Sequence, residues 1–120
     1  MARTASTGEV VVDLAPHPSS GRVAREAVGA LADRLHPETM AKVRLLVTEL
    51  VVSALGPRQE QPLRLTVRLR DGVVRAAIEP LEGGAQLDRP HSWNLFLVNR
   101  IADAWEGDGT GLRFELAVRR

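Results

Sequence analysis

The sequence predicts an α+β fold: a two-layer sandwich of a mixed, mostly antiparallel sheet with three helices on one face. Three observations predict it. Segments within 9–15, 63–79 and 112–118 alternate apolar and polar residues with a period of two, the pattern of half-buried strands. Segments near 19–35, 37–55 and 92–105 repeat apolar residues every three or four positions, as helices facing a core do. The polar positions of the strands include Arg64, Arg68, Arg75, Arg113 and Glu115. One sheet face therefore meets water, and the helices cover the other.

Residues 1–8 are polar, lack the apolar stretch of a secretory signal, and read as a short flexible leader; residues 9–120 form one domain. In the first strand Val10, Val12 and Leu14 share a face, and Pro16 and Pro18 stop it. Ser19 or Ser20 caps a first helix whose apolar period is Val23, Ala27, Ala30, Leu31 and Leu35. Pro37 suits the first turn of a second helix, which runs to about Leu55 and buries Met40, Val43, Leu46, Val47 and Leu50. The stretch 56–62, with Gly56, Pro57 and Pro62, is a loop. The strands from Leu63 and from Val73 alternate strictly around Asp71-Gly72, a dipeptide that suits a two-residue hairpin turn. After a loop from Leu81 to His91, Ser92 caps a third helix bearing Trp93, Leu97, Ile101 and Trp105. Gly107, Gly109 and Gly111 turn the chain into a last strand with Leu112, Phe114, Leu116 and Val118 inward.

Composition removes several functions. Hydrophobic residues at 44% and charged residues at 26% give an ordinary globular balance rather than a disordered chain. A net charge of +1 offers no general attraction to nucleic acid or anionic membrane, and neither is an expected partner. Cysteine is absent, which excludes disulfides and thiolate chemistry, and a cytoplasmic setting is the simplest reading. Lys42 is the only lysine and is not part of a Gly-Lys-Ser/Thr phosphate loop. His17, His36 and His91 are scattered without metal-ligand spacing. The glycines at 107, 109 and 111 precede a strand rather than open a helix, so they are not a dinucleotide motif. No apolar run approaches the length of a membrane span.

In the second helix Glu49 and Ser53 stand four residues apart, on one face. This helix, with Leu45-Leu46-Val47-Thr48-Glu49-Leu50 and Ser53-Ala54, resembles the Glu-Leu-x-x-Asn-Ala helix of bacterial anti-sigma factors and related serine protein kinases. That family belongs to the GHKL (histidine-kinase-like) ATPases. The first helix adds Ala24-Arg25, the hairpin ends in Glu79-Pro80, and the third helix carries Leu97-Val98 and Ile101-Ala102-Asp103-Ala104-Trp105, all similar to family patterns. The resemblance covers about Glu9 to Val118 and implies the Bergerat-type ATPase fold.

The resemblance also implies a nucleotide site at Glu49, Ser53, Glu79, Gly83, Ser92 and Asn94. Glu49 is the general base if the chain is a kinase, and Ser53 meets magnesium only through ATP. Ser53 replaces the family asparagine, and a hydroxyl is a weaker magnesium ligand than a carbonyl oxygen. Glu79 replaces an adenine-reading aspartate, and Ser92 and Asn94 replace glycines whose backbone approaches phosphate. The expectation is weak or no ATP binding, with no cofactor unless an intact site takes magnesium–ATP. The expected function is regulation by contact with a sigma factor or a STAS-type anti-anti-sigma protein, through Arg25, with a homodimer as a further implication. The alternative is an active ATP-dependent serine protein kinase acting on that antagonist.

Overall fold

A computed structural model describes residues 2–5, 8–55, 61–82, 87 and 96–118. Six strands form one sheet: β1 (Ala2–Ala5), β2 (Glu9–Leu14), β3 (Leu63–Arg70), β4 (Val73–Pro80), β5 (Ala104–Asp108) and β6 (Gly111–Ala117). The helices are α1 (Ser20–Val28), α2 (Pro37–Leu55) and α3 (Phe96–Ile101), with a 3-10 stretch at Gly29–Arg34. The sheet order is β1-β2-β3-β4-β6-β5. Every neighbouring pair is antiparallel, so the expected mixture with parallel pairing does not occur among the described strands.

Alternation decides the layers. Val10, Val12, Leu14, Leu63, Leu65, Val67, Val74, Ile78, Leu112 and Phe114 are all buried on one face. Against them lie Met40, Val43, Leu46, Val47, Leu50 and Val51 of α2, together with Ala24 and Val28 of α1 and Val98 of α3. Each large aliphatic side chain buried this way contributes roughly 1.5–3 kcal/mol. The two-layer α+β architecture with helices on one face follows from that single apolar surface.

The β3–β4 hairpin forms as the dipeptide predicts. Asp71 and Gly72 have φ of 54° and 74°, and Arg70 pairs with Val73 across a two-residue turn. Both positive values match the turn whose twist suits antiparallel strands. His36 precedes Pro37 at the start of α2, and its Nδ1 accepts the Glu38 N–H at 3.2 Å, satisfying one first-turn donor.

Other expectations change. Residues 1–8 read as a leader, yet Ala2–Ala5 pairs with β2, from Ala2 opposite Val12 to Ala5 opposite Glu9. An edge strand needs only backbone hydrogen bonds, so it leaves little trace in hydropathy. The first helix is shorter than expected and its buried face is rotated: Gly21, Ala24 and Val28 are buried, whereas Val23 is 40% exposed. That face packs on α2. A Cβ on Gly21 would stand 3.5 Å from Thr48 Cγ2. Ser19 occupies the cap position without a side-chain cap bond, while Ser20 Oγ donates to the Ala15 carbonyl at 2.5 Å.

The third helix ends at Ile101, and Trp105 belongs to β5 rather than to that helix. The hairpin β5–β6 turns at Asp108, whose Oδ1 accepts the N–H groups of Thr110 at 2.7 Å and Gly111 at 3.2 Å and the Thr110 hydroxyl. These bonds, led by the Thr110 hydroxyl, hold the Asp108 carboxyl below its ordinary pKa. Gly107 is therefore a strand residue, and the turn is made by the residues after it.

Two glycines separate backbone strain from backbone approach. A Cβ at Gly111 would lie 2.8 Å from the Ile78 carbonyl oxygen, whereas one at Gly72 meets nothing within 4 Å. Gly111→Ala should destabilise the fold by about 1–3 kcal/mol through forced separation of β4 and β6. Gly72→Ala should cost about 1 kcal/mol through its left-handed φ alone. Urea denaturation checks the order, and a larger loss at Gly72 would contradict it.

Candidate functional site

The central turns of α2 carry the two polar residues singled out by sequence. Glu49 is half-buried and Ser53 is 5% exposed. Standing four residues apart they share one side of the helix, and Ser53 is buried at the flank of the stripe that includes Leu46 and Leu50. Glu49 has no ion-pair partner among the described residues, so it is not neutralised by a neighbouring arginine there. The Ser53 hydroxyl has no hydrogen-bond partner among the described residues. A buried hydroxyl in that state is costly, by about 1–3 kcal/mol.

Glu79 does not join them. It stands opposite Arg64 in the β3–β4 ladder, on the face that alternates away from Leu65 and Ile78. Arg64 Nε donates to Asp13 Oδ1 at 2.8 Å, and Arg64 Nη2 to Asp13 Oδ2 at 3.2 Å. That hydrogen bond and the Asp13 charge hold the guanidinium above its ordinary pKa, with a smaller contribution from the Glu79 charge. Glu79 is thus an exposed member of a charged row, on the opposite side of the sheet from Glu49 and Ser53. Gly83, Ser92 and Asn94 lie outside the described residues, as does Trp93. Arg25 is exposed in the last turn of α1, with no ion-pair partner among the described residues.

The open sheet face is a lattice of cross-strand ion pairs. Arg68 pairs with Glu9, Arg75 Nε lies 3.0 Å from Glu115 Oε1, and Arg113 Nη1 lies 2.9 Å from Glu106 Oε1. Each is at least partly exposed and contributes no more than about 1 kcal/mol. Their effect is to occupy the arginines, which leaves little free positive charge on this face to attract an acidic partner. Sheet twist makes a shallow concavity of about 500 Å³ here, with Thr66, Ala77 and Ala104 between Arg68, Arg75 and Glu106. Trp105 pairs with Phe114 on the helix side, where its Nε1 donates to Asn99 Oδ1 at 3.2 Å.

A second cleft, missed by sequence reading, lies between the start of α2, the residues after α3 and the end of β6. Its residues come from three separated segments, so no spacing in the chain announces it. Among the described residues no group of three or more His, Asp or Glu is arranged to hold a metal, and no helix is long and apolar enough to cross a membrane. No protein-family model matches the chain, and no curated protein matches it.

The lone hydroxyl at Ser53 makes a direct prediction. Ser53→Ala should leave stability unchanged or raise it by up to about 1 kcal/mol, because it removes a buried donor without an acceptor among the described residues. A loss above about 1 kcal/mol in denaturant unfolding would mean that the hydroxyl has a partner.

Proposed function

We propose that the chain is a regulatory protein-binding module of the anti-sigma type, acting by contact with a sigma factor or a STAS-type antagonist and binding ATP weakly or not at all. The reading begins from the resemblance of α1, α2 and the hairpin. The two-layer α+β architecture, with all helices on one face, is compatible with it. The observation that carries the weak-ATP part is the separation of Glu79 from Glu49 and Ser53 across the sheet. A base-reading carboxylate and a magnesium ligand serve one nucleotide only from the same side. Ser53 is also nearly enclosed, whereas a metal ligand must reach its ion.

For partner contact the candidate is Arg25, an exposed guanidinium suited to two-point capture of a carboxylate. The reading implies a cytoplasmic setting. It also allows a homodimer, for which the open sheet face is one candidate surface. One observation favours the kinase alternative: Glu49 is half-buried and without an ion-pair partner among the described residues, as a general base needs to be.

Calorimetric titration separates the two readings. Magnesium–ATP should bind no tighter than about the millimolar range, and saturable micromolar binding would move the chain to the kinase class. Arg25→Glu should weaken the sigma or STAS partner by at least about 1.5 kcal/mol, because an attractive contact becomes repulsive. An unchanged dissociation constant removes Arg25 from the interface.

A further inference from the structure

The cleft at the start of α2 has a volume of about 450 Å³ and is lined by residues including His36, Glu38, Thr39, Lys42, Ile101 and Asp103. Thr39 and Lys42 stand in the first two turns of a 19-residue helix, near its positive end. Pro37 has no N–H, the Glu38 N–H is taken by His36 Nδ1, and the Met40 N–H by the His36 carbonyl. The Thr39 N–H is the first-turn donor without an acceptor among the described residues. Thr39 is only 8% exposed, and its hydroxyl has no partner among the described residues. Lys42, three residues on, has no ion-pair partner among them either.

The same cleft carries carboxylates. Asp103 is fixed in place, with its N–H on the Glu115 carbonyl and its Oδ2 accepting the Ala117 N–H at 2.6 Å. Its other oxygen has no partner among the described residues. Glu38 adds a second negative charge. A bare anion is drawn to Thr39 and Lys42 but repelled by Asp103 and Glu38. A bare cation meets the reverse. A small molecule carrying both charges satisfies both sides, and Ile101 offers an apolar wall beside them.

We propose that this cleft binds a free α-amino acid, its carboxylate held at the N-terminus of α2 by Thr39 and Lys42 and its ammonium group by Asp103 and Glu38. The site does not depend on the anti-sigma reading, because Thr39, Lys42, Asp103 and Glu38 are none of the nucleotide or partner positions that reading assigns.

The test is a nuclear magnetic resonance titration of the full, isotope-labelled chain with each standard amino acid, up to about 10 mM. Parallel titrations use the same compounds with the amine acetylated or the carboxylate amidated, and inorganic phosphate. At least one amino acid should shift the amide signals of Thr39, Lys42 and Asp103 saturably. Both blocked forms and phosphate should bind at least roughly tenfold more weakly. Thr39→Val and Lys42→Met should each weaken the amino acid by a similar factor. Asp103→Asn, which keeps an acceptor for the Ala117 N–H, should remove the preference over the acetylated form. Lys42 is exposed, so its variant keeps the test valid if another variant fails to fold. The proposal is overturned if no amino acid shifts these signals, if a blocked form or phosphate binds as tightly, or if Lys42→Met binds unchanged.

Discussion

Successive residues of a strand point to opposite faces, and here one face must be covered while the other stays wet. Val12, Leu65, Ile78 and Phe114 fall on the covered face, and Asp13, Arg64, Glu79 and Arg113 fall on the wet one. The energies are unequal. A buried aliphatic side chain is worth roughly 1.5–3 kcal/mol, whereas an exposed ion pair is worth about 1 kcal/mol or less. Register therefore follows the apolar residues, and the Arg–Glu lattice fills positions left to it. A slip of one residue would exchange the two faces entirely.

That parity reaches the candidate nucleotide site. Helix α2 packs on the Ile78 face, so any group on β4 that shares a pocket with Glu49 and Ser53 must have the parity of Ile78. Glu79, one residue later, has the opposite parity and lies beside Arg64 instead. A sequence likeness that matches residue types but ignores parity places it on the wrong side. The remaining feature of the site is the half-buried Glu49 one turn from the enclosed Ser53 on α2.

Much of the fold was legible because its signals are local. Asp71-Gly72 demands positive φ at both positions and receives it, and the Met40 to Leu50 stripe of α2 is long enough to define its buried side. The misses occur where another element decides. On α1, hydropathy favours Val23, but packing against α2 turns Gly21, Ala24 and Val28 inward. Strand β1 forms because β2 offers an unpaired edge, which no pattern in residues 2–5 declares. Trp105 fits a helical period with Ile101, yet the Asp108 turn makes it part of a hairpin. The candidate site was less legible still: Glu49 and Ser53 share a helix face as spacing requires, whereas the position of Glu79 depends on pairing across the sheet. The cleft holding Thr39, Lys42 and Asp103 exists only after folding.

The sidedness of β4 is the claim on which the rest stands, and the absence of cysteine makes it directly measurable. Single cysteines at positions 75, 76, 78 and 79 would each provide one thiol whose labelling rate in the native protein reports its face. Cysteine in place of Arg75 or Glu79 should react at least about tenfold faster than cysteine in place of Ala76 or Ile78, and magnesium–ATP should not slow it. Rapid labelling at position 78, or protection of position 79 by magnesium–ATP, would contradict the account.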